Sequence, residues 1–168
     1  MSAGLLVVRG DIRRFAAGAI VRCVPVGVLS DPAADPILLA GGDALWAAVQ
    51  RYGPLTEARP VVTDSYRLPA QAIIHVAAPV WRGGGQDEDR RLALTVERVL
   101  VAAVRSQITR VAFSPIGPGF PVDQAAAIAV GTVHSALFAA PSIEEVVFVC
   151  PTDAAWQVYD DAINGLLD

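Results

Sequence analysis

The sequence predicts a three-layer α/β/α domain built on a mixed, largely parallel central sheet. Short β-branched and aliphatic runs alternate along the chain with longer segments whose apolar residues recur at helical spacing. No internal repeat or linker interrupts the 168 residues. A chain of this size buries roughly 70% of its unfolded surface, so a single domain over residues 1–168 needs neither disulfides nor a metal to complete its core.

Six short runs are expected to form the strands. Each is rich in β-branched or aliphatic residues and is followed within two residues by a Gly, Pro or Asp that favours a turn. In chain order they are residues 5–8, 19–26, 61–63, 72–77, 110–114 and 145–150.

Four segments with helical periodicity separate these strands. The first contains Gly41 and Gly42, which predict a weak or broken helix. The second begins with acidic residues that suit the positive end of a helix, and Asp153 is expected to cap the fourth. In chain order the segments are residues 37–51, 87–104, 121–137 and 153–167.

The charge pattern argues against nucleic acid as a general partner. The formal net charge is −4, and all 13 basic residues are Arg, scattered without a cluster. Nonspecific nucleic-acid binding requires a concentrated basic surface that releases counterions from phosphates, so we expect none here.

Membrane association is not expected either. The longest apolar runs, residues 15–21 and 99–104, are much shorter than the roughly 18 residues of a membrane span. The N-terminal segment has no secretory h-region. These features predict a cytoplasmic protein.

The potential metal ligands are isolated from one another. Cys23, Cys150, His75 and His134 do not form a set of converging ligands, so we expect no metal and no cofactor. His75 lies in the middle of an apolar strand and is expected to be a hydrogen-bonded core residue rather than a catalytic base.

Ligands of parallel α/β sheets bind outside the carboxyl ends of the strands. This rule directs attention to four loops, at residues 10–13, 25–36, 117–121 and 151–153. A further loop, residues 81–86, contains three glycines but lacks the Lys and Ser or Thr of a triphosphate-binding loop, so we interpret it as a flexible connection.

The chain carries a series of short motifs between about Leu5 and Ile163: VVRGDI, AIV, YRLPA, IIHVAAPVWRGGG, GFP and EEVVFVC. In composition and order these motifs resemble macro domains, which are ADP-ribose-binding and Appr-1-p-processing modules. The resemblance implies the α/β/α fold inferred above. It also implies an ADP-ribose-like nucleotide, or an ADP-ribosylated protein, as the partner.

The first loop contains the pair Asp11 and Ile12. In macro domains the Asp of such a pair accepts a hydrogen bond from the exocyclic amine of adenine, beside an aliphatic wall. The resemblance therefore implies that Asp11 and Ile12 bind a base. An Asp that follows a strand also caps turns, and both interpretations are open.

The second loop departs from the family pattern. Macro domains typically have Asn-Ala-Ala-Asn after the second strand, followed by glycines, Val and Asp, whereas this chain has Arg-Cys-Val-Pro and then Ser-Asp-Pro-Ala-Ala-Asp. Pro25 occupies the position of the Asn that assists hydrolysis in active members. Asp35 aligns with the loop aspartate and is the candidate catalytic residue, and the alternative is that Asp35 is a turn residue.

The same replacement is expected to weaken phosphate binding. Glycines let backbone N–H groups approach a pyrophosphate, whereas Pro32 has no N–H and restricts Asp31. Asp31 and Asp35 also bring negative charge toward an anionic ligand. The sequence therefore predicts a loop that holds a diphosphate poorly.

The third loop is shorter than its family counterpart. Its glycines are expected to present N–H groups to an anion at a helix N-terminus, and a plain tight turn is the alternative. By resemblance, the ligand-binding residues of this loop and of the one after the last strand are Gly117, Pro118, Gly119, Phe120 and Thr152.

Three functions are open from the sequence. The leading one is a divergent macro domain that binds ADP-ribose or a related nucleotide with little or no ADP-ribosyl hydrolase activity. A second is a hydrolase of an altered ADP-ribose-type substrate, with Asp35 as general base. A third is a non-catalytic interaction module whose crevice is closed by side chains such as Val24, Val28 or Phe120.

Overall fold

Within residues 4–166, which the computed structural model describes, the chain forms six strands and five α-helices. The strands are β1 Gly4–Arg9, β2 Ala19–Pro25, β3 Val61–Asp64, β4 Ala72–Ala78, β5 Arg110–Phe113 and β6 Glu145–Cys150. The helices are α1 Pro36–Gly41, α2 Asp43–Tyr52, α3 Glu88–Arg105, α4 Val122–Ala139 and α5 Asp153–Gly165. A short 3-10 helix, Ile12–Arg14, follows β1.

The strands form one sheet in the order β1-β6-β5-β2-β4-β3. Neighbouring strands are parallel except β3 and β4, which are antiparallel. β2 is central, since Ala19 pairs with Ala72 of β4 on one side and with Val111 of β5 on the other. Because the parallel strands end at the same edge of the sheet, the loops that follow β1, β2, β5 and β6 lie at that edge.

Helices cover both faces of the sheet. α3, α4 and α5 pack on the face that carries Val21 and Ile74, and α1 and α2 pack on the face of Ile20 and Ile73. Consecutive residues of β2 and β4 therefore enter opposite cores, which explains why these strands have no polar face. The predicted three-layer α/β/α architecture with its mixed, largely parallel sheet is confirmed.

Among the described helices, α4 is long and apolar enough to cross a membrane by length and composition alone, with a mean hydropathy of 1.2. Its packing accounts for this character. Ala125, Ala129 and Val133 are buried in the core on the α3–α5 face of the sheet. In this fold α4 is a layer helix between α3 and α5.

The predicted break in the first helix is confirmed, and one predicted cap is wrong. Gly42 separates α1 from α2 with a φ of +83°. α5 is capped by Thr152, whose Oγ1 accepts a hydrogen bond from the amide of Ala155 at 3.1 Å. Asp153 is instead the first helical residue, because Thr152 has the extended backbone that an N-cap requires. The predicted end of this helix at Leu167 lies outside the described residues.

Candidate functional site

A crevice opens between the second and third loops at the carboxyl edge of the sheet. Its volume is about 380 Å³, and its lining includes Ile12, Asp35 and the segment 113–116. A further volume of about 310 Å³ shares Cys23 and Pro25 with it and extends toward the third loop. Three of the four loops expected at the site therefore meet in one place.

The crevice is not closed by the side chains that the interaction-module hypothesis requires. Val28 is 57% exposed, and Phe120 of the third loop lines the smaller volume but is otherwise buried in the core. Val24 lines the crevice wall, and the volume beside it is open.

The second loop uses its own backbone N–H groups internally. The amide of Ala33 donates to Asp31 Oδ1 at 2.9 Å. The amides of Ala34 and Asp35 donate to the carbonyl oxygen of Asp31 at 3.1 and 3.0 Å. Pro32 has no N–H to donate. Asp31 thus organises a turn whose amides all have acceptors within the loop.

The following residues continue the same pattern. Asp35 is the N-cap of α1, and its Oδ1 accepts from the amides of Ile37 and Leu38 at 3.0 and 3.2 Å. Pro36 stands at the first helical position and also lacks an N–H. Every amide in the segment 32–38 is therefore either missing or already hydrogen-bonded within the protein.

Asp35 also forms an ion pair with Arg22. The Arg22 Nε donates to Asp35 Oδ2 at 2.7 Å, with side-chain exposures of 2% for Arg22 and 21% for Asp35. Both carboxylate oxygens of Asp35 are consequently engaged, one by helix amides and one by a guanidinium. A general base must direct a lone pair at the proton that it removes, and protein donors occupy three of the roughly four acceptor sites of the Asp35 carboxylate.

Arg22 is held by a chain of buried hydrogen bonds. Its Nη2 donates to Ser30 Oγ at 2.6 Å, and its Nη1 lies 3.2 Å from His75 Nδ1. Because Arg can only donate, Nδ1 is the acceptor and Nε2 carries the proton, which it donates to Thr63 Oγ1 at 2.9 Å. The Thr63 hydroxyl donates in turn to the carbonyl of Asp64.

The expectation that His75 is a hydrogen-bonded core residue is confirmed. Burial, with the positive charge of Arg22 acting in the same direction, lowers the pKa of His75 to about 3. The imidazole is therefore neutral at neutral pH, which matches its role as an acceptor for Arg22.

The third loop has free backbone N–H groups, which the segment 32–38 lacks. Gly117 and Gly119 have φ angles of +106° and +77°, and a Cβ on Gly117 would approach Ala125 Cβ to 2.9 Å. The amide of Ile116 donates to the hydroxyl of Tyr159 at 3.1 Å. In the part of the chain that the structure describes, the amides of Gly117 and Gly119 have no protein acceptor.

The first loop places Ile12 in the crevice, whereas the preceding Asp11 lines neither crevice volume. The Asp11 carboxylate accepts from the amide of Arg13 at 3.0 Å and pairs with its guanidinium at 2.6 Å. The hydrogen bond from the Arg13 side chain holds the pKa of Asp11 below its ordinary value. The turn-capping interpretation is thus confirmed, while the Asp11 side chain stays about one-third exposed. Thr152, the cap of α5, lines neither crevice volume.

The glycine-rich loop after β4 is occupied by a carboxylate of the protein itself. Glu88 accepts from the amides of Arg82, Gly84 and Gln86 at 2.7, 3.2 and 2.7 Å. These hydrogen bonds, the one from Arg82 above all, lower the pKa of Glu88 to about 2. The loop is therefore a connection, as predicted, but Glu88 anchors it rather than leaving it flexible.

Replacing Glu88 with alanine is expected to free this loop. Hydrogen exchange at the amides of Arg82, Gly84 and Gln86 should accelerate about tenfold or more, because their common acceptor is removed. Exchange measured by NMR tests this, with Glu97→Ala on the exposed side of α3 as the matched control.

The lowered pKa of Glu88 is expected to make the stability of the protein depend on pH in the acidic range. Its folded pKa of about 2 lies below the ordinary 4.5, so its stabilising contribution is complete above pH 4.5 and is lost as the pH falls toward 2. Glu88→Ala should remove this part of the pH dependence of stability. Equal acid dependence in the variant and the parent would contradict the assignment.

Sequence reasoning missed Arg22 as the organising residue of the site. A single charged residue in an otherwise apolar central strand must find a partner, because an unpaired buried charge is very costly. Arg22 in the run AIVRCVP has this signature. It would have predicted a pair with one of the acids in the following loop.

The fold and the site together define the class of this protein. It is an α/β/α sheet domain with a crevice across the carboxyl ends of its strands. The macro domain family model matches residues 27–129. A macro domain-containing protein from Cupriavidus necator is 37% identical over an alignment of 168 positions, which covers 95% of this chain and 97% of that protein. The chain belongs to the macro domain family.

Other relatives extend this comparison. An O-acetyl-ADP-ribose deacetylase from Salmonella typhimurium is 32% identical, with 95% of this chain and 93% of that protein covered. The Oceanobacillus iheyensis macrodomain with ADP has a TM-score of 0.83 at 24% identity, covering 96% and 90% of the two chains. A variant of that macrodomain with ADPR has a TM-score of 0.82 at 26% identity, covering 97% and 93%.

Proposed function

We propose that this macro domain binds ADP-ribose or a related nucleotide, free or attached to a protein, and does not hydrolyse it. The ligand class is supported by the relatives whose names and structures refer to ADP-ribose and ADP. The proposed absence of hydrolysis is supported by one observation: both carboxylate oxygens of Asp35 accept hydrogen bonds, from Arg22 and from the first turn of α1.

The base end of the ligand is assigned to the first loop. Ile12 lines the crevice and offers an aliphatic wall for a flat ring. Asp11 precedes Ile12, keeps about one-third of its side chain exposed and remains ionised, since the hydrogen bond from Arg13 lowers its pKa. A carboxylate in this position can accept the exocyclic amine of adenine.

The diphosphate is assigned to the third loop. The amides of Gly117 and Gly119 stand just before α4, where the helix dipole also favours an anion. The segment 32–38 offers no free amide, so it contributes no backbone donor to the diphosphate. Weak binding follows from this missing contact.

Bond cleavage requires a base or a positioned water beside the distal ribose. Asp35 is the crevice carboxylate that aligns with the family's loop aspartate, and protein donors occupy three of its roughly four acceptor sites. Pro25 stands where active members have an Asn. With Asp35 largely engaged and no Asn to position water, we expect the ligand to be held but not hydrolysed.

Calorimetric titration with ADP-ribose tests the binding half. We expect saturable binding with a Kd below about 1 mM, weakened about tenfold by Asp11→Ala through loss of a charge-assisted hydrogen bond. Glu97→Ala, which removes an exposed carboxylate outside the crevice, should leave the Kd unchanged. Absence of heat at millimolar ADP-ribose would refute the binding proposal.

Incubation with O-acetyl-ADP-ribose tests the proposed absence of hydrolysis separately from binding. Acetate release should stay at the uncatalysed rate even when the protein is saturated with ligand. Turnover that is lost in Asp35→Asn would show that the hydrolase hypothesis is correct instead.

A further inference from the structure

The third loop contacts the beginning of the glycine-rich loop 81–86 through its backbone. The amide of Trp81 donates to the carbonyl oxygen of Pro118 at 3.0 Å. The two backbones approach closely, since a Cβ on Gly119 would lie 3.2 Å from the carbonyl oxygen of Trp81. Pro118 stands between the two glycines whose amides are assigned to the diphosphate. The position of Trp81 therefore constrains where those amides point.

Trp81 is held in turn by residues that Glu88 binds. The Glu88 carboxylate accepts from the amide of Arg82, the next residue after Trp81, at 2.7 Å. It also accepts from the amide of Gly84 at 3.2 Å. Gly84 lies against the indole of Trp81, since a Cβ on Gly84 would be 3.7 Å from Nε1. Glu88 thus fixes the backbone next to Trp81 and the residue that covers its side chain.

The start of α3 also contacts the third loop and the helix that follows it. Leu92, one turn after Glu88, lies against Gly117, because a Cβ on Gly117 would come within 3.3 Å of Leu92 Cδ2. Asp89 Oδ1 accepts from Gln124 Nε2 at 2.6 Å, which joins the first turn of α3 to the first turn of α4. The loop 81–86 and the start of α3 together support the third loop.

We propose that Glu88 is a positioning residue for nucleotide binding, because it holds the loop 81–86 on α3 and thereby fixes the third loop with its amides presented to the diphosphate. The inference rests on the proposed assignment of the diphosphate to the third loop. Glu88 and Trp81 line neither crevice volume, so the effect reaches the ligand through the third loop. Donors that are already fixed bind more tightly than donors that binding must order, since less entropy is lost.

Substitution of Glu88 separates positioning from simple electrostatics. Loss of a carboxylate reduces the repulsion of an anionic ligand, so by charge alone Glu88→Gln would bind ADP-ribose more tightly. Positioning predicts the opposite sign. We expect the Kd for ADP-ribose to rise about threefold in Glu88→Gln, which keeps one acceptor oxygen, and about tenfold in Glu88→Ala, which keeps none. Glu97→Gln removes the same charge from an exposed position of α3 and should leave the Kd unchanged.

The parent protein provides a second measurement that needs no variant. Coupling between two sites is reciprocal, so a loop that strengthens ADP-ribose binding is itself stabilised by ADP-ribose. Saturation with ADP-ribose should therefore slow hydrogen exchange at the amides of Arg82, Gly84 and Gln86, by about the factor by which the alanine variant raises the Kd. The indole N–H signal of Trp81, which is buried and has no acceptor in the described part of the chain, should shift as well.

The possible results distinguish this role of Glu88 from nucleotide binding itself. If the parent binds ADP-ribose and Glu88→Gln binds it equally or more tightly, Glu88 does not position the third loop, and the binding proposal stands. Unchanged exchange at Gly84 and Gln86 in the saturated parent would have the same meaning, and this measurement decides the question if the variants do not fold. Absence of ADP-ribose binding by the parent would overturn both proposals.

Discussion

Replacing Arg22 with alanine is expected to lower the free energy of unfolding by about 3–5 kcal/mol, which is the typical cost of removing one partner from a buried ion pair. The Asp35 carboxylate would remain without its guanidinium, and Ser30 and His75 would each lose a hydrogen-bond partner. The cost is large because all of these groups lie within the folded interior or at the crevice wall.

Equilibrium unfolding in urea measures this effect. Arg90→Ala is the control, because Arg90 pairs with Asp87 across an exposed surface at 3.6 Å and should cost less than about 1 kcal/mol. The loss of unfolding free energy in Arg22→Lys should lie between those of Arg22→Ala and Arg90→Ala. An ammonium keeps the positive charge but not the planar set of directed N–H donors. If Arg22→Ala cost no more than the Arg90 control, the pair would not organise the loop.

Replacing Gly117 with alanine is expected to have the largest effect on nucleotide binding. Gly117 has a φ of +106°, and its new Cβ would lie 2.9 Å from Ala125 Cβ, so the third loop must shift. Strained backbone of this kind costs about 1–3 kcal/mol. Because the loop carries the amides assigned to the diphosphate, the Kd for ADP-ribose should rise about tenfold or more.

Gly131→Ala in α4 provides the matched control. A Cβ at Gly131 meets no atom within 4 Å, and alanine is the better helix former by about 0.5–1 kcal/mol. This variant should be slightly more stable than the parent and should bind ADP-ribose unchanged. An unchanged Kd in Gly117→Ala would mean that the third loop does not hold the phosphates.

The elements of the fold were predictable because their signals are local. β6 has the predicted bounds, since the five apolar residues 146–150 follow Glu145 and end before Pro151. The break at Gly42 follows from the low helix propensity of glycine. The cap of α5 was not predictable with certainty, because Thr152 and Asp153 are both good N-caps and only the backbone geometry selects Thr152.

The organisation of the site was predictable only in part. Pro32 predicted a loop segment with fewer backbone N–H donors, and the structure shows no free amide within residues 32–38. The network around Arg22 depends instead on the pairing of β2 with β4, which sets Arg22 directly beside His75, 53 residues away in sequence. Such register is a property of the assembled sheet, and neither residue carries a local signal for it.

The segment 32–38 has no free amide, and we therefore expect the third loop, and not this segment, to hold the phosphates of the nucleotide. Titration of the ¹⁵N-labelled protein with ADP-ribose tests this expectation residue by residue. The largest amide shifts should occur at Ile12, Gly117 and Gly119, and the amides of Ala33 to Asp35 should not move. Shifts of equal size at Ala33, Ala34 and Asp35 would contradict it.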